Sequence, residues 1–427
     1  MDKALSYPGY YSPAARHRAS GYRAFVRQSI ELLAIGFYVC LIYKMAAPGI
    51  AILCLLILLG LHIRWRIGYV FTWLGMLSIL YLASATITAF IVSTDQGIYR
   101  TTQFAIILPA FMSLSNYLEH LDEKRLRSFG NKFVIVTALI FGHLVVYHLY
   151  HGYLTTWKYL FDAKTTISIV AVILFLKEDE LKQKFGAYGW WSALGVFGML
   201  CLLSGERKAY ILTAILFLLS KASLFQKMAL GAAGAAGLLF FLIAGSSDSY
   251  IARQVDSLFS ESPDLPISEF YDNQLVADQS DLIREFVNQN AWQLFLENPI
   301  MGIGANGYGD EALQQFSETD RHFGLATNVH GEINRVPVEG GLVGIVIALS
   351  YMSTLAIAVF ADFWRKRMFH SASAERFPLY VFIFLFLYLY VEALDTLMLS
   401  LIVLFGFHMA KISHVSSGAR NAARRPA

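Results

Sequence analysis

Apolar runs of about 17–25 residues recur along almost the whole of this 427-residue chain. Each is long enough, as a helix, to cross a hydrocarbon core of roughly 30 Å. In lipid every backbone N–H and C=O must be satisfied within the protein, which leaves only helices and closed barrels. The runs are continuous and do not alternate with period two, so helices are expected. Only 15% of the residues are charged and 56% are hydrophobic, against about 25% charged in soluble domains. The expected fold class is an all-α polytopic membrane protein, with little chain left over for a separate soluble domain.

Hydropathy places spans near residues 29–46, 48–63, 67–92, 103–118, 133–151, 165–176, 188–204, 209–220, 228–245, 337–361, 378–392 and 396–411. The sixth and eighth are short for a straight crossing and are read as tilted, extended or partly re-entrant. Twelve spans put both termini on one side, and the basic residues choose which. With both termini cytoplasmic, 24 of the 34 Lys and Arg face inward, in segments such as "HIRWR", "EKRLRSFGNK" and "WRKR", as cytoplasmic loops require. The start of the chain is basic and polar for too long to be a secretory signal. Residues 1–28 are therefore expected to be a cytoplasmic tail, 29–245 spans one to nine, 337–411 spans ten to twelve, and 412–427 a basic cytoplasmic tail. Cys40, Cys54 and Cys201 lie in apolar runs without metal-type spacing and read as packing residues.

Residues 246–336 form one long outer loop, far above ordinary loop length and so expected to be folded and functional. It holds 15 of the 31 acidic residues but only four basic ones, Arg253, Arg284, Arg321 and Arg335, so each arginine is an exception in an acidic surface. Within it, "QSDLIREFVNQNAWQLFLENP" has the apolar spacing of an amphipathic helix ended by Asn298-Pro299. That helix is expected either to lie on the membrane or to cap the bundle. "GAAGAAG" in the ninth span suits close helix packing.

Several motifs carry both a chemical and a plain reading. "GIGANG" satisfies G-x-G-x-x-G, but it follows an amphipathic helix on the outer face, not a strand in a cytosolic βαβ unit, so it reads as a flexible turn and not a nucleotide site. "SGERKAY" puts Arg207 and Lys208 outside, against the prevailing charge bias. The planar fork of Arg207 suits a phosphate near the membrane surface; the plain alternative is a snorkelling interfacial pair. Arg284 has a similar case, with Asp281 and Glu285 near enough to be simple salt-bridge partners. Arg321 and Arg335 are weaker candidates. His330 has a neutral form near pH 7 and can accept a proton from a sugar hydroxyl, although a lone loop histidine is more often incidental. Pro337 is expected to open a helix there, with Gly340, Gly341 and Gly344 allowing close approach of backbone or substrate. The start of that helix would favour a bound phosphate.

One further pattern joins these features. His330, a nine-residue spacer ending at Gly340, and "GLVG" at residues 341–344 resemble a motif of the O-antigen ligases and the related bacterial polysaccharide polymerases: a histidine, then Asn, Ser or Gln, nine residues, and G-x-x-G. "NPIMGIGANGYG" is similar to that family's "NPxxGxGxxxY"-like segment. Arg207 matches its membrane-proximal arginine by position, and Arg284 an arginine early in its large loop. Gly331 departs from the pattern, which leaves Asn328 or Glu332 to orient the imidazole.

The resemblance implies about a dozen helices and a large, partly helical periplasmic loop in a bacterial inner-membrane enzyme. It implies a donor glycan on undecaprenyl pyrophosphate and an acceptor sugar on lipid A-core, besides membrane lipids and with no nucleic-acid partner. His330 would act as general base. Arg207 and Arg284 would bind the pyrophosphate, with Lys208, Arg321 and Arg335 in support. No cofactor is implied, and no metal: the acidic loop shows no compact D-x-D, and arginines would do the work of a cation. A repeat-unit polymerase is the nearest rival, using the same donor. A lipid-linked glycan transporter is a rival of another class, against which stands the clustering of charge in one loop instead of at mid-membrane.

Overall fold

The computed structural model describes residues 13–43, 45–62, 123–151, 163–204, 207–229, 279–304, 307–308, 329, 331–365 and 373–391, with isolated residues between 73 and 87, 102 and 117, at 231, and between 405 and 409. Among these the secondary structure is helical, with no strand. The helices are α1 Pro13–Ile42, α2 Ala46–His62, α3 Glu123–His151, α4 Ala163–Leu176, α5 Glu178–Ser204, α6 Arg207–Leu219, α7 Gln279–Glu297, α8 Glu332–Arg365 and α9 Phe377–Val391, the last preceded by a 3-10 turn at Ser373–Arg376. The spans expected at 67–92, 228–245 and 396–411 lie mostly outside the described residues, so the count of twelve rests on the hydropathy of the sequence.

Side-chain periodicity explains how the helices pack. On α1, Val26, Ile30, Ala34 and Phe37 form one buried stripe, on α4 Ile167, Ala171 and Phe175, and on α6 Ala209, Leu212 and Leu216, each at the three-to-four-residue spacing of one helix face. The stripes of α4 and α6 meet α9, whose Leu379, Tyr380, Phe382, Leu385 and Tyr388 are all buried, while α1 packs on α2 and α3. Phe175 sits edge-on to both Trp190 of α5, at 5.6 Å, and Tyr380, at 6.4 Å. α4 and α9 thereby form the centre of a bundle, with α6 packed on both.

The outward faces are apolar as well. Among the described residues two helices, Ser128–Tyr147 and Ile333–Trp364, are long and apolar enough to cross a membrane, and others, such as Thr165–Leu176 and Phe377–Leu389, are apolar but shorter. On α8, Leu355, Val359 and Phe363 are buried, whereas Leu342, Val346, Leu349, Ile357, Phe360 and Trp364 form an exposed row on the opposite side. An apolar row of this length facing away from the protein suits lipid and is untenable in water.

Two expectations shift. The first helix begins at Pro13, inside the segment read as a tail, because "AARHRASGYR" is rich in helix formers and a proline suits a first helical position. The loop "KEDELKQK" is likewise the opening of α5, separated from the apolar part by Gly186 at φ 72°. That end of the bundle is a network of charge. Buried Glu178 pairs with Lys182 at 2.5 Å and Asp179 with Lys221 at 3.2 Å. Buried Arg376 donates to the carbonyl of Leu219 at 2.6 Å, capping α6, where a cation complements the helix dipole.

Candidate active site

α8 consists of two helices. Gly341, at φ 59° and ψ −157°, interrupts it, dividing a short piece at residues 332–340 from a membrane piece at 342–365, about 36 Å long at 1.5 Å per residue. A break strands main-chain donors and acceptors, which must be paired elsewhere. The "NPIMGIG" segment pairs them. Ile303 N–H donates to the carbonyl of Val338 at 2.8 Å and Gly304 N–H to that of Glu339 at 3.0 Å; in return Leu342 N–H donates to Pro299 at 2.8 Å and Val343 N–H to Ile300 at 3.3 Å.

Glycine is demanded twice in this joint. A Cβ on Gly302, which has φ 71°, would lie 2.5 Å from the carbonyl oxygen of Val338, and one on Gly341 would lie 2.4 Å from that of Ile300. Both conformation and space exclude a side chain. Gly302, Ile303 and Gly304, which open "GIGANG", are therefore a fixed edge of the joint and not a flexible turn. Pro337 likewise does not open the helix: α8 starts five residues earlier, at Glu332, and the proline stands inside it.

The start of α8 is set by Gly331. Its carbonyl accepts from Asn334 N–H at 3.2 Å and Arg335 N–H at 3.1 Å, while its φ of 81° is left-handed. Only glycine adopts that conformation freely, with asparagine the next most tolerant. The departure from the resembled motif thus has a backbone explanation, and residue 331 brings no side chain to the imidazole.

A small second core lies beneath the joint. Val287, Ala291, Leu294 and Phe295 of α7 close on Ile303, Tyr308, Val329 and Val338. The hydroxyl of Tyr308 donates to the carbonyl of Val287 at 3.3 Å, and burial pushes its pKa well above the usual range. Arg335 is 3% exposed, and its Nε lies 3.2 Å from Oε2 of Glu339 one turn on. Glu339, which sequence reasoning passed over, was open to discovery from its i,i+4 spacing to Arg335.

The expected site residues fall into two groups. Val329, the residue before His330, is packed in the same core as Val287, which is one helical turn after Arg284 on α7. Glu332 and Arg335 open α8, which packs on α7. Arg207 and Lys208 open α6 in the bundle, just after α5 ends at Ser204. His330, Asn328 and Arg321 lie outside the described residues, as do the side chains of Arg207, Lys208, Arg284 and Glu332.

No curated protein matches the chain. A protein-family model described as O-antigen ligase matches residues 192–349, a stretch that runs from the apolar part of α5 through α6 and α7 to the far side of the joint. That match supports this membrane chain as a member of the O-antigen ligase family.

Proposed function

We propose that the chain is an O-antigen ligase that moves a glycan from undecaprenyl pyrophosphate to a sugar hydroxyl of lipid A-core, on the periplasmic face of the bacterial inner membrane. The observation that carries this reading is the family match, because it takes in Arg207, Arg284 and His330 together. The small core adds support by packing the chain neighbour of His330 against the turn of α7 that follows Arg284.

In this mechanism the neutral imidazole of His330 accepts the proton of the acceptor hydroxyl as its oxygen attacks the anomeric carbon. The bond from that carbon to the pyrophosphate oxygen breaks as the new glycosidic bond forms, so a single displacement inverts the centre. Arg207 and Arg284 hold the pyrophosphate and stabilise the charge that grows as it leaves. Lys208, Arg321 and Arg335 are supporting cations, and Asn328 and Glu332 are the residues near enough in sequence to orient the imidazole. No metal and no cofactor takes part. The large outer loop is residues 246–336, and both termini are cytoplasmic.

Purified protein in a chelating buffer is expected to transfer glycan from its pyrophosphate lipid to lipid A-core. Deletion of the gene is expected to leave bare core while polymer accumulates on its lipid carrier. Core bearing single repeats would instead mark a polymerase, and undiminished transfer in membranes lacking the protein would overturn both.

A further inference from the structure

The helix α7 carries more apolar surface than its own core uses. Val287, Ala291, Leu294 and Phe295 face inward. A second row, Trp292, Leu296 and Ile300, is 56%, 60% and 65% exposed. A third, Gln289, Gln293 and Glu297, is exposed and polar. At 100° per residue the inward row, then Trp292 with Leu296, then the polar row occupy three successive sectors around the axis of α7, and Ile300 follows in the turn beyond Glu297. A helix with a protein-facing, an apolar and a polar sector has the pattern of one lying in the plane of a bilayer interface.

What covers the apolar row follows from the joint. Leu342 N–H bonds to Pro299 and Val343 N–H to Ile300, which sets Ile300 beside Leu342, the first residue of the exposed row running down α8 through Val346, Leu349 and Ile357. The apolar row of α7 is thus continuous, through Ile300, with the surface that α8 turns to lipid. The Trp292 ring lies 5.2 Å from that of Phe295, two turns before Ile300, and tryptophan concentrates where acyl chains meet head groups.

We infer that α7 is an interfacial helix, with Trp292, Leu296 and Ile300 seated in the bilayer leaflet that α8 enters at residue 342. The occupant of this face is lipid. Residues 289, 293 and 297 face water, and the small core is held against the membrane along the length of α7 and not at the joint alone.

The test uses nitroxide labels on single cysteines at positions 289, 292, 293, 296, 297 and 300 of the full-length chain in nanodiscs of phosphatidylethanolamine and phosphatidylglycerol, with Cys40, Cys54 and Cys201 replaced by Ala. At 292, 296 and 300, relaxation by oxygen is expected to exceed relaxation by a water-soluble nickel chelate, and the order is expected to invert at 289, 293 and 297. Nickel exceeding oxygen at 296 and 300 would place the row in water and overturn the inference. Exclusion of both reagents with dipolar broadening between labels would assign the face to a second copy, and overturn it as well. If Trp292→Cys alone fails to fold, positions 296 and 300 carry the same reading. The measurement needs no substrate, so its outcome is separate from that of the transfer assay.

Discussion

Phe175, Trp190 and Tyr380 lock the centre of the bundle with large interdigitated rings, whereas the small core is mostly aliphatic, with Phe295 and Tyr308 its two rings, and is fastened to α8 by main-chain hydrogen bonds. The bundle is specified by side-chain shape. The joint is specified by where side chains are missing. A core of shapes can adjust to a substitution by repacking, but a joint in which a Cβ would lie within about 2.5 Å of a carbonyl has no such freedom.

The proposed chemistry belongs beside the joint, and the largest expected effect tests that. His330→Ala is expected to lower turnover by roughly 10²–10⁴-fold while the melting temperature stays that of the parent; near-parental turnover would remove the histidine from the mechanism. Phe175→Ala probes the other region. Lipid tails are as apolar as the lost ring, so the cost comes from the cavity and from lost contacts, at about 2–5 kcal/mol. A lower melting temperature with unchanged turnover per folded molecule is expected. A selective loss of turnover would erase the division of labour between the two regions.

Gly341→Ala separates the regions most sharply. Strain of roughly 1–3 kcal/mol is expected from a left-handed residue forced to carry a Cβ, and kcat should fall with it. Gly340→Ala, one residue earlier, meets nothing within 4 Å and is expected to be neutral or stabilising by up to about 1 kcal/mol. Equal behaviour of the two alanines in a side-by-side melting and turnover assay would mean that the joint is not what holds the site.

The smallest effect concerns Tyr308. Losing its hydroxyl should cost about 1 kcal/mol. Because burial raises its pKa in the folded state, its contribution is complete below the unfolded value of about 10 and is lost as pH rises beyond that toward the folded value. Alkaline melting curves of the parent should therefore steepen in their decline above pH 10, and those of Tyr308→Phe should be flatter. Identical curves would show that this hydroxyl is not sealed in the small core.

The contrast also explains what could be read in the sequence. α7 was legible to its last turn, since apolar spacing and Asn298-Pro299 both mark it, and α6 was legible as a short apolar run. Both signals are local and written in side chains. The pairing of residues 299–304 with residues 338–343 has no periodicity to betray it, since its partners are main-chain groups far apart in sequence. Pro337 and Gly302 to Gly304 are signals of the same kind: read locally each points to a helix start or a turn, whereas the two segments explain each other through their main-chain bonds. At Gly331 a motif of side chains raised a question that a backbone angle answers.

The joint also has a topological consequence. Because Ile303 and Gly304 are bonded to Val338 and Glu339, the chain between them leaves and returns through one clasp. Lengthening a clasped loop costs only about 0.6 kcal/mol per doubling, so insertions between Tyr308 and Val329, both held in the small core, are expected to leave the helices on either side in place. The clasp thus separates the placing of the helices from the length of the chain it encloses.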